Sequence, residues 1–183
     1  MIQQNKFTVS NVLIAVSILF TWMSLVLNII PTLWLSNYYI DNWNYIFWFI
    51  TLFTSQFLHG WWMHLLFNSV FIYYFGNIVE VILGRNKMIL FFIFSAITTW
   101  IAVTFLSDWV TIWISWFAMA LLSFYTLQLW SKNNPEYKWW ITAMVLNIVI
   151  GFAPWISFVG HFFWIISWVL YWGILKFTKY WLR

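Results

Sequence analysis

Five polar residues in a largely apolar chain have the types and spacing needed for hydrolysis. His59, His64 and Asn68 lie in one short segment, and the i, i+4 spacing of His64 and Asn68 puts them on one face of a helix. Ser115 and His161 lie further along the chain, each at an apolar stretch. A serine beside a histidine provides a nucleophile and a base, and N–H donors stabilise an oxyanion. Taken alone, each residue has an ordinary structural explanation, such as a bond to a backbone carbonyl.

The composition defines the solvent around these residues. The chain has 183 residues, of which 64% are hydrophobic and only 7% charged, whereas soluble domains average about 25% charged. Lipid must therefore cover much of the surface, and polar groups within apolar spans are costly enough to indicate a site. The length predicts one domain, residues 1–183. Cysteine is absent, which excludes disulfides and thiolate metal sites.

Six apolar segments predict transmembrane helices. Each except the fifth has about the 20 residues needed to cross about 30 Å of hydrocarbon. Helices are expected because spanning strands would have to close into a barrel and alternate in polarity. The predicted fold is an all-α membrane protein with a six-helix bundle. The spans are residues 12–30, 61–83, 88–106, 109–130, 139–152 and 157–176.

The basic residues predict the orientation of the chain. With six spans, all 8 Lys and Arg residues fall on one side of the membrane. Asp41 and Asp108 fall on the opposite side, which carries no basic residue. The positive-inside rule then places both termini in the cytoplasm, in a multi-pass protein of the cytoplasmic membrane. This segregation also explains the net charge of +4 better than nucleic-acid binding does. The basic residues are Lys6, Arg85, Lys87, Lys132, Lys138, Lys176, Lys179 and Arg183.

Residues 31–58, between the first two spans, are too apolar for a solvated loop. Tryptophan, tyrosine and phenylalanine crowd this segment, and such aromatic residues favour the membrane interface. We expect a structured element that lies partly in the outer leaflet, rather than a disordered loop.

Four motifs together resemble the rhomboid family of intramembrane serine proteases. Residues 59–68 fit the family pattern HGxxxHLxxN, and residues 75–84 fit FGxxxExxxG. Residues 113–116 stand where the family has GxSG around its nucleophile, and residues 161–168 stand where it has HxxGxxxG around its base. The resemblance covers roughly residues 54–173 and is most specific in the first two motifs.

The resemblance implies an endopeptidase that cleaves transmembrane segments of other membrane proteins. Ser115 would be the nucleophile and His161 the general base, in a dyad that needs no acid. His64, Asn68 and the backbone N–H of Ser115 would stabilise the oxyanion. His59 matches a family position near the entrance to the site. The resemblance implies no cofactor and no metal.

The glutamate of the FGxxxExxxG motif, a structural carboxylate in the family, corresponds to Glu80. Arg85 and Lys87 follow it closely in sequence, near the expected cytoplasmic end of the same helix. We therefore expect Glu80 to form a salt bridge with one of these two residues.

The chain departs from the family at six positions where the family has glycine. Four of them are the glycines of GxSG and HxxGxxxG, one is the second glycine of the family's HGG, and one is a glycine expected after Pro154. Each of these positions carries tryptophan, and the chain has 18 Trp but only 6 Gly. An indole at Trp116 or Trp164 is expected to hold the fourth and sixth helices apart, and to lengthen the distance from Ser115 to His161. The positions are Trp61, Trp113, Trp116, Trp155, Trp164 and Trp168.

Three interpretations remain open. The protein is an active protease whose UGA codons encode glycine and are written as tryptophan. Alternatively, the tryptophans are real, and the chain is an inactive rhomboid-like protein that binds transmembrane clients. The third interpretation is an unrelated bundle such as a transporter fragment, for which internal repeats or a broken helix would be expected.

Overall fold

The computed structural model describes residues 7–28, 38–106, 115–150, 166 and 169–174, and in these ranges the regular structure is helical. The first helix, α1, is Val9–Leu27; two short helices follow, α2 at Tyr38–Asp41 and α3 at Tyr45–Thr54. A long helix is formed by α4 (Trp62–Phe71), a π-helical turn (Ile72–Gly76) and α5 (Asn77–Leu83). Three helices come next: α6 (Arg85–Leu106), α7 (Ser115–Ser131) and α8 (Tyr137–Ile150).

Helices lie where the sequence predicts spans. Within the described ranges, two segments have the length and hydropathy to cross a membrane, Val9–Leu27 and Trp62–Leu83. Helices α6, α7 and α8 coincide with three further predicted spans, and the crossing of the bilayer by these and by the sixth span stays a prediction. The segment predicted as a structured interfacial element contains α2 and α3.

Helix α1 is delimited by its caps. The Thr8 side chain accepts a hydrogen bond from the N–H of Asn11 at 3.2 Å, which satisfies a donor that the first turn leaves unpaired. At the other end Asn28 adopts the left-handed conformation, with φ 52° and ψ 38°, and its N–H bonds back to Leu25 O. Asparagine tolerates this conformation better than most residues.

The interior of the protein is more polar than its surface along α1. The buried residues of this helix recur at intervals of three and four, and all but one are polar: Ser10, Leu13, Ser17, Thr21 and Ser24. Its exposed large side chains are apolar: Val12, Ile18, Leu19, Trp22, Met23, Val26 and Leu27. This distribution inverts that of a soluble helix. Small and polar residues at helix contacts, with apolar residues outside, are typical of helices packed in lipid.

Helix α7 is the central element of the described core. Residues 115–124 are buried without interruption, and α7 contacts α4, the π-helical turn, α5, α6 and α8. Phe91 of α6 packs against both Phe117 and Phe124 of α7, with ring centroids 5.5 and 6.4 Å apart. Ser115, at the start of α7, is therefore held by packing on several sides.

The π-helical turn brings the second long helix against α1 and α7. Gly76 ends this turn, and a Cβ at this position would overlap the side chain of Ser10 and meet Leu121 Cδ1 at 3.4 Å. The side-chain amide of Asn77 donates to Tyr73 O at 2.6 Å and to Asn11 Oδ1 at 3.4 Å. Gly76 is thus required for the close approach of the helices rather than for an unusual backbone conformation.

Glu80 connects the far end of this helix to α1. Its Oε2 accepts a hydrogen bond from the backbone N–H of Val9 at 2.8 Å. The first turn of α1 offers Glu80 an unpaired N–H and the positive end of a helix dipole. The carboxylate therefore stabilises the contact between two helices that are distant in sequence. The expected salt bridge with Arg85 or Lys87 stays a prediction.

Candidate active site

Ser115 lies at the first described residue of α7 and is 8% exposed. Its Oγ is buried and has no hydrogen-bond partner among the described residues. Thr126, on the same helix, instead donates to the carbonyl of Leu122 at 2.8 Å, as hydroxyls in membrane helices commonly do. Within the described ranges the hydroxyl of Ser115 is therefore unused, and an unused hydroxyl in buried surroundings is costly.

His161 lies outside the described residues, as do Trp113, Trp155, Trp164 and Trp168. The pairing of Ser115 with His161 stays a prediction from the sequence. The expected separation of the fourth and sixth helices involves the same part of the chain and likewise stays a prediction.

Helix α4 carries the two residues predicted to stabilise an oxyanion. It contacts α7 and α1. Asn68 is 7% exposed, whereas the side chain of His64 is only partly buried. The helix begins after Trp61, whose backbone is extended, so that His64 and Asn68 fall in its first two turns and on one face.

His59 links α4 to α1. Its Nε2 lies 3.2 Å from Asn68 Nδ2, and its Nδ1 lies 3.3 Å from Thr21 Oγ1. The hydroxyl of Thr21 also lies 3.2 Å from the carbonyl oxygen of Phe57 and donates to it. The ring of His64 stands at 73° to that of His59, with centroids 5.2 Å apart. The two histidines and Asn68 thus form one cluster at the start of α4.

The side chain of His59 lies inside the protein. It is 0% exposed and both ring nitrogens have partners, and the place near the entrance that the resemblance implies for it stays a prediction. Burial, with a smaller effect from His64, lowers the pKa of His59 to about 3. The imidazole is therefore neutral at physiological pH, and it acts as an internal connector between helices.

Thr21 is the residue of this cluster that sequence reasoning missed. It is fully buried, and a signal for it exists in the sequence: it belongs to the regularly spaced polar stripe of the first span. A polar stripe on a membrane helix faces other helices rather than lipid. The sequence does not reveal which residue it contacts, because His59 lies 38 positions away.

Two of the six unexpected tryptophans can be compared directly. Trp61 is 59% exposed, and its extended backbone accepts any residue. Trp116, next to Ser115, is only 2% exposed, and its indole Nε1 is buried without a hydrogen-bond partner among the described residues. A buried indole N–H normally has a partner. Tryptophan is thus well accommodated at position 61 and costly at position 116.

The described residues hold no group of three or more His, Cys, Asp or Glu side chains placed to bind a metal ion. The polar groups of the candidate site are a serine hydroxyl, imidazoles and an amide, which are groups that can take part in nucleophilic and oxyanion chemistry.

The described helices carry apolar side chains on the outside and a polar cluster between them. This arrangement is typical of a helical membrane protein with an internal site. The chain belongs to the rhomboid family: the Rhomboid domain model matches residues 47–177. No curated protein matches the chain. Rhomboid proteins are embedded in membranes, and the family consists generally of serine proteases that act on transmembrane protein substrates.

Proposed function

We propose that this chain is an intramembrane serine endopeptidase that cleaves a transmembrane segment of another membrane protein through Ser115 and His161. The observation that carries the proposal is the buried Ser115 Oγ, which has no hydrogen-bond partner in the described structure. It lies on a helix in contact with α4, which carries His64 and Asn68. A nucleophile, oxyanion donors and a membrane location then belong to one fold.

The proposed mechanism is acyl transfer through a covalent intermediate. His161 takes the proton of Ser115 as the Oγ attacks the scissile carbonyl, and then gives it to the leaving amine. Asn68, His64 and the backbone N–H of Ser115 donate hydrogen bonds to the oxyanion. Water hydrolyses the acyl-enzyme, with His161 again as base. No metal or cofactor takes part.

The proposed orientation follows from the charges. The protein lies in the cytoplasmic membrane. Both of its termini lie in the cytoplasm, because the basic residues share one side of the membrane. The site opens outward, since hydrolysis needs water and the bilayer interior contains none. The substrate unwinds near the outer end of its own span.

An inactive membrane protein that binds transmembrane clients is the second candidate, and Trp116 favours it. A buried indole next to the nucleophile takes up space that a close helix contact needs. In this second candidate function the protein has the rhomboid fold but does not cleave its client.

Cleavage of a model transmembrane substrate by the purified protein in detergent or liposomes tests the proposal. Ser115→Ala and His161→Ala should each abolish cleavage. Asn68→Ala should lower kcat by about 10²-fold, the loss typical of one oxyanion donor. Ser123→Ala is the matched control, because Ser123 is a buried serine of the same helix that bonds Met144 Sδ; it should stay active.

Thermal unfolding should show that every variant is folded. Substantial proteolysis by Ser115→Ala would overturn the assigned nucleophile. A folded wild-type protein that binds the model substrate without cleaving it would favour the inactive candidate.

A further inference from the structure

A chain of hydrogen bonds runs from α1 to the proposed oxyanion donor. Thr21 Oγ1 contacts both Phe57 O at 3.2 Å and His59 Nδ1 at 3.3 Å. His59 Nε2 contacts Asn68 Nδ2 at 3.2 Å. Thr21 and His59 are fully buried, and Asn68 is 7% exposed. Hydrogen bonds in such surroundings are stronger than in water, and leaving one of their groups unpaired is costly.

The donors and acceptors fix a direction along this chain. The amide nitrogen of Asn68 can only donate, so His59 Nε2 accepts and the neutral ring carries its proton on Nδ1. Nδ1–H then donates to Thr21 Oγ1, and the hydroxyl of Thr21 donates to Phe57 O. In this direction each of the three contacts pairs one donor with one acceptor. Reversing the direction would turn the Thr21 hydroxyl toward Nδ1 and take its hydrogen away from Phe57 O.

We propose that Thr21 is a positioning residue for the oxyanion site: through His59 it holds the side-chain amide of Asn68 in one orientation. The inference rests on the proposed function, in which Asn68 donates to the oxyanion. An amide nitrogen has two hydrogens; the one bonded to His59 fixes the rotation of the amide, and the other is left for the oxyanion.

Orientation matters here because oxyanion stabilisation depends on donors fixed before the reaction. A side-chain amide can rotate about its last torsion at little cost. The contact with His59 prevents this rotation of the Asn68 amide. Thr21 in turn bonds both the imidazole of His59 and the carbonyl of Phe57, and so holds the ring in place from the α1 side.

Kinetics on the full-length protein test the proposal. Thr21→Val keeps the shape and removes the hydroxyl; it should lower kcat about tenfold with KM unchanged, a smaller loss than that of the donor itself. Thr21→Ser restores a hydroxyl and should recover most of the activity. Ser17→Ala is the matched control, because Ser17 is buried on the same face of α1 and its Oγ has no described hydrogen-bond partner; its kcat should be that of the wild type.

A double variant separates positioning from general destabilisation. If Thr21 acts through Asn68, Thr21→Val should lower kcat no further in an Asn68→Ala background. Equal losses in both backgrounds would overturn the proposal, as would an unchanged kcat in Thr21→Val.

Nuclear magnetic resonance of ¹⁵N-histidine gives a readout that does not depend on catalysis. His59, assigned through His59→Gln, should show the neutral Nδ1–H form, and its Nε2 signal should move away from the hydrogen-bonded position in Thr21→Val but not in Ser17→Ala. A wild-type Nε2–H form, or an unmoved signal, would overturn the inference. If the wild type does not cleave, the proposed function fails, and these signals alone decide whether Thr21 orients His59.

Discussion

Glu80 Oε2 and the backbone N–H of Val9 are 2.8 Å apart, across 71 positions of sequence. The carboxylate thereby caps the first turn of α1 from another helix. Glu80→Ala should lower the free energy of unfolding by about 2 kcal/mol, as expected when a charge-assisted hydrogen bond is lost. Thermal unfolding in a mild detergent measures this. Glu136→Ala removes an exposed carboxylate and should have little effect; equal stability of both variants would contradict the assigned contact.

Gly76→Ala should destabilise the protein by about 1–3 kcal/mol, as overpacking does. The new Cβ would lie 2.7 Å from the Cβ of Ser10. The backbone at Gly76 has φ −64° and ψ −42°, which alanine adopts readily, so any loss reports packing alone. Denaturant or thermal unfolding of Gly76→Ala, Ser10→Gly and the double variant checks this, since Ser10→Gly should relieve the overlap. Gly173→Ala is the control, because no described atom lies within 4 Å of its added Cβ.

His59 should make stability depend on pH. Its pKa is lowered to about 3 in the folded protein, from 6.5, so the unfolded chain binds the proton more readily. Stability is therefore full above pH 6.5 and should fall by up to about 1.4 kcal/mol for each pH unit below it. Unfolding curves of wild type and His59→Gln between pH 7 and pH 4 check this. An identical slope in the two proteins would show that other groups cause the dependence.

Reporter fusions test the predicted topology. Fusions after Lys6, Arg85, Lys132 and Arg183 should all report the cytoplasm, because these basic residues are predicted to stay on the inner side. Fusions near Asp41 and Asp108 should report the outside. An outside signal at Lys132 would show that the number of spans is wrong, and the outward-facing site would have to be abandoned.

The gene and the native protein together test the identity of residue 116. We expect a UGA codon there and glycine in peptides that span Ser115, because position 116 stands where the family motif GxSG has glycine and the indole of Trp116 is buried beside Ser115. Mass spectrometry of native material distinguishes the two residues. The same reading of the motifs predicts UGA at positions 61, 113, 155, 164 and 168.

A UGG codon at position 116, or tryptophan in the native peptide, would refute this expectation, and the inactive candidate would become the better one. In the chain as written, Trp116→Gly should raise cleavage activity, since it removes the buried indole. Trp61→Gly is the control: the side chain is 59% exposed, so its removal should change activity little.

Several features of the protein followed from the sequence alone. Low charge and long apolar segments predict membrane helices, and the described structure has helices at the first five of those segments. The i, i+4 spacing of His64 and Asn68 predicts one helical face, because helix periodicity is local. The motifs in residues 59–68 and 75–84 predict the rhomboid family, which the domain match over residues 47–177 confirms.

The partners of the site residues were decided by the tertiary structure. Glu80 bonds Val9 on another helix, His59 is fully buried, and Thr21 enters the cluster from another helix. Each contact depends on how helices far apart in sequence are rotated and how closely they approach. Local patterns determine which face of a helix is polar; packing against the other helices determines what that face contacts.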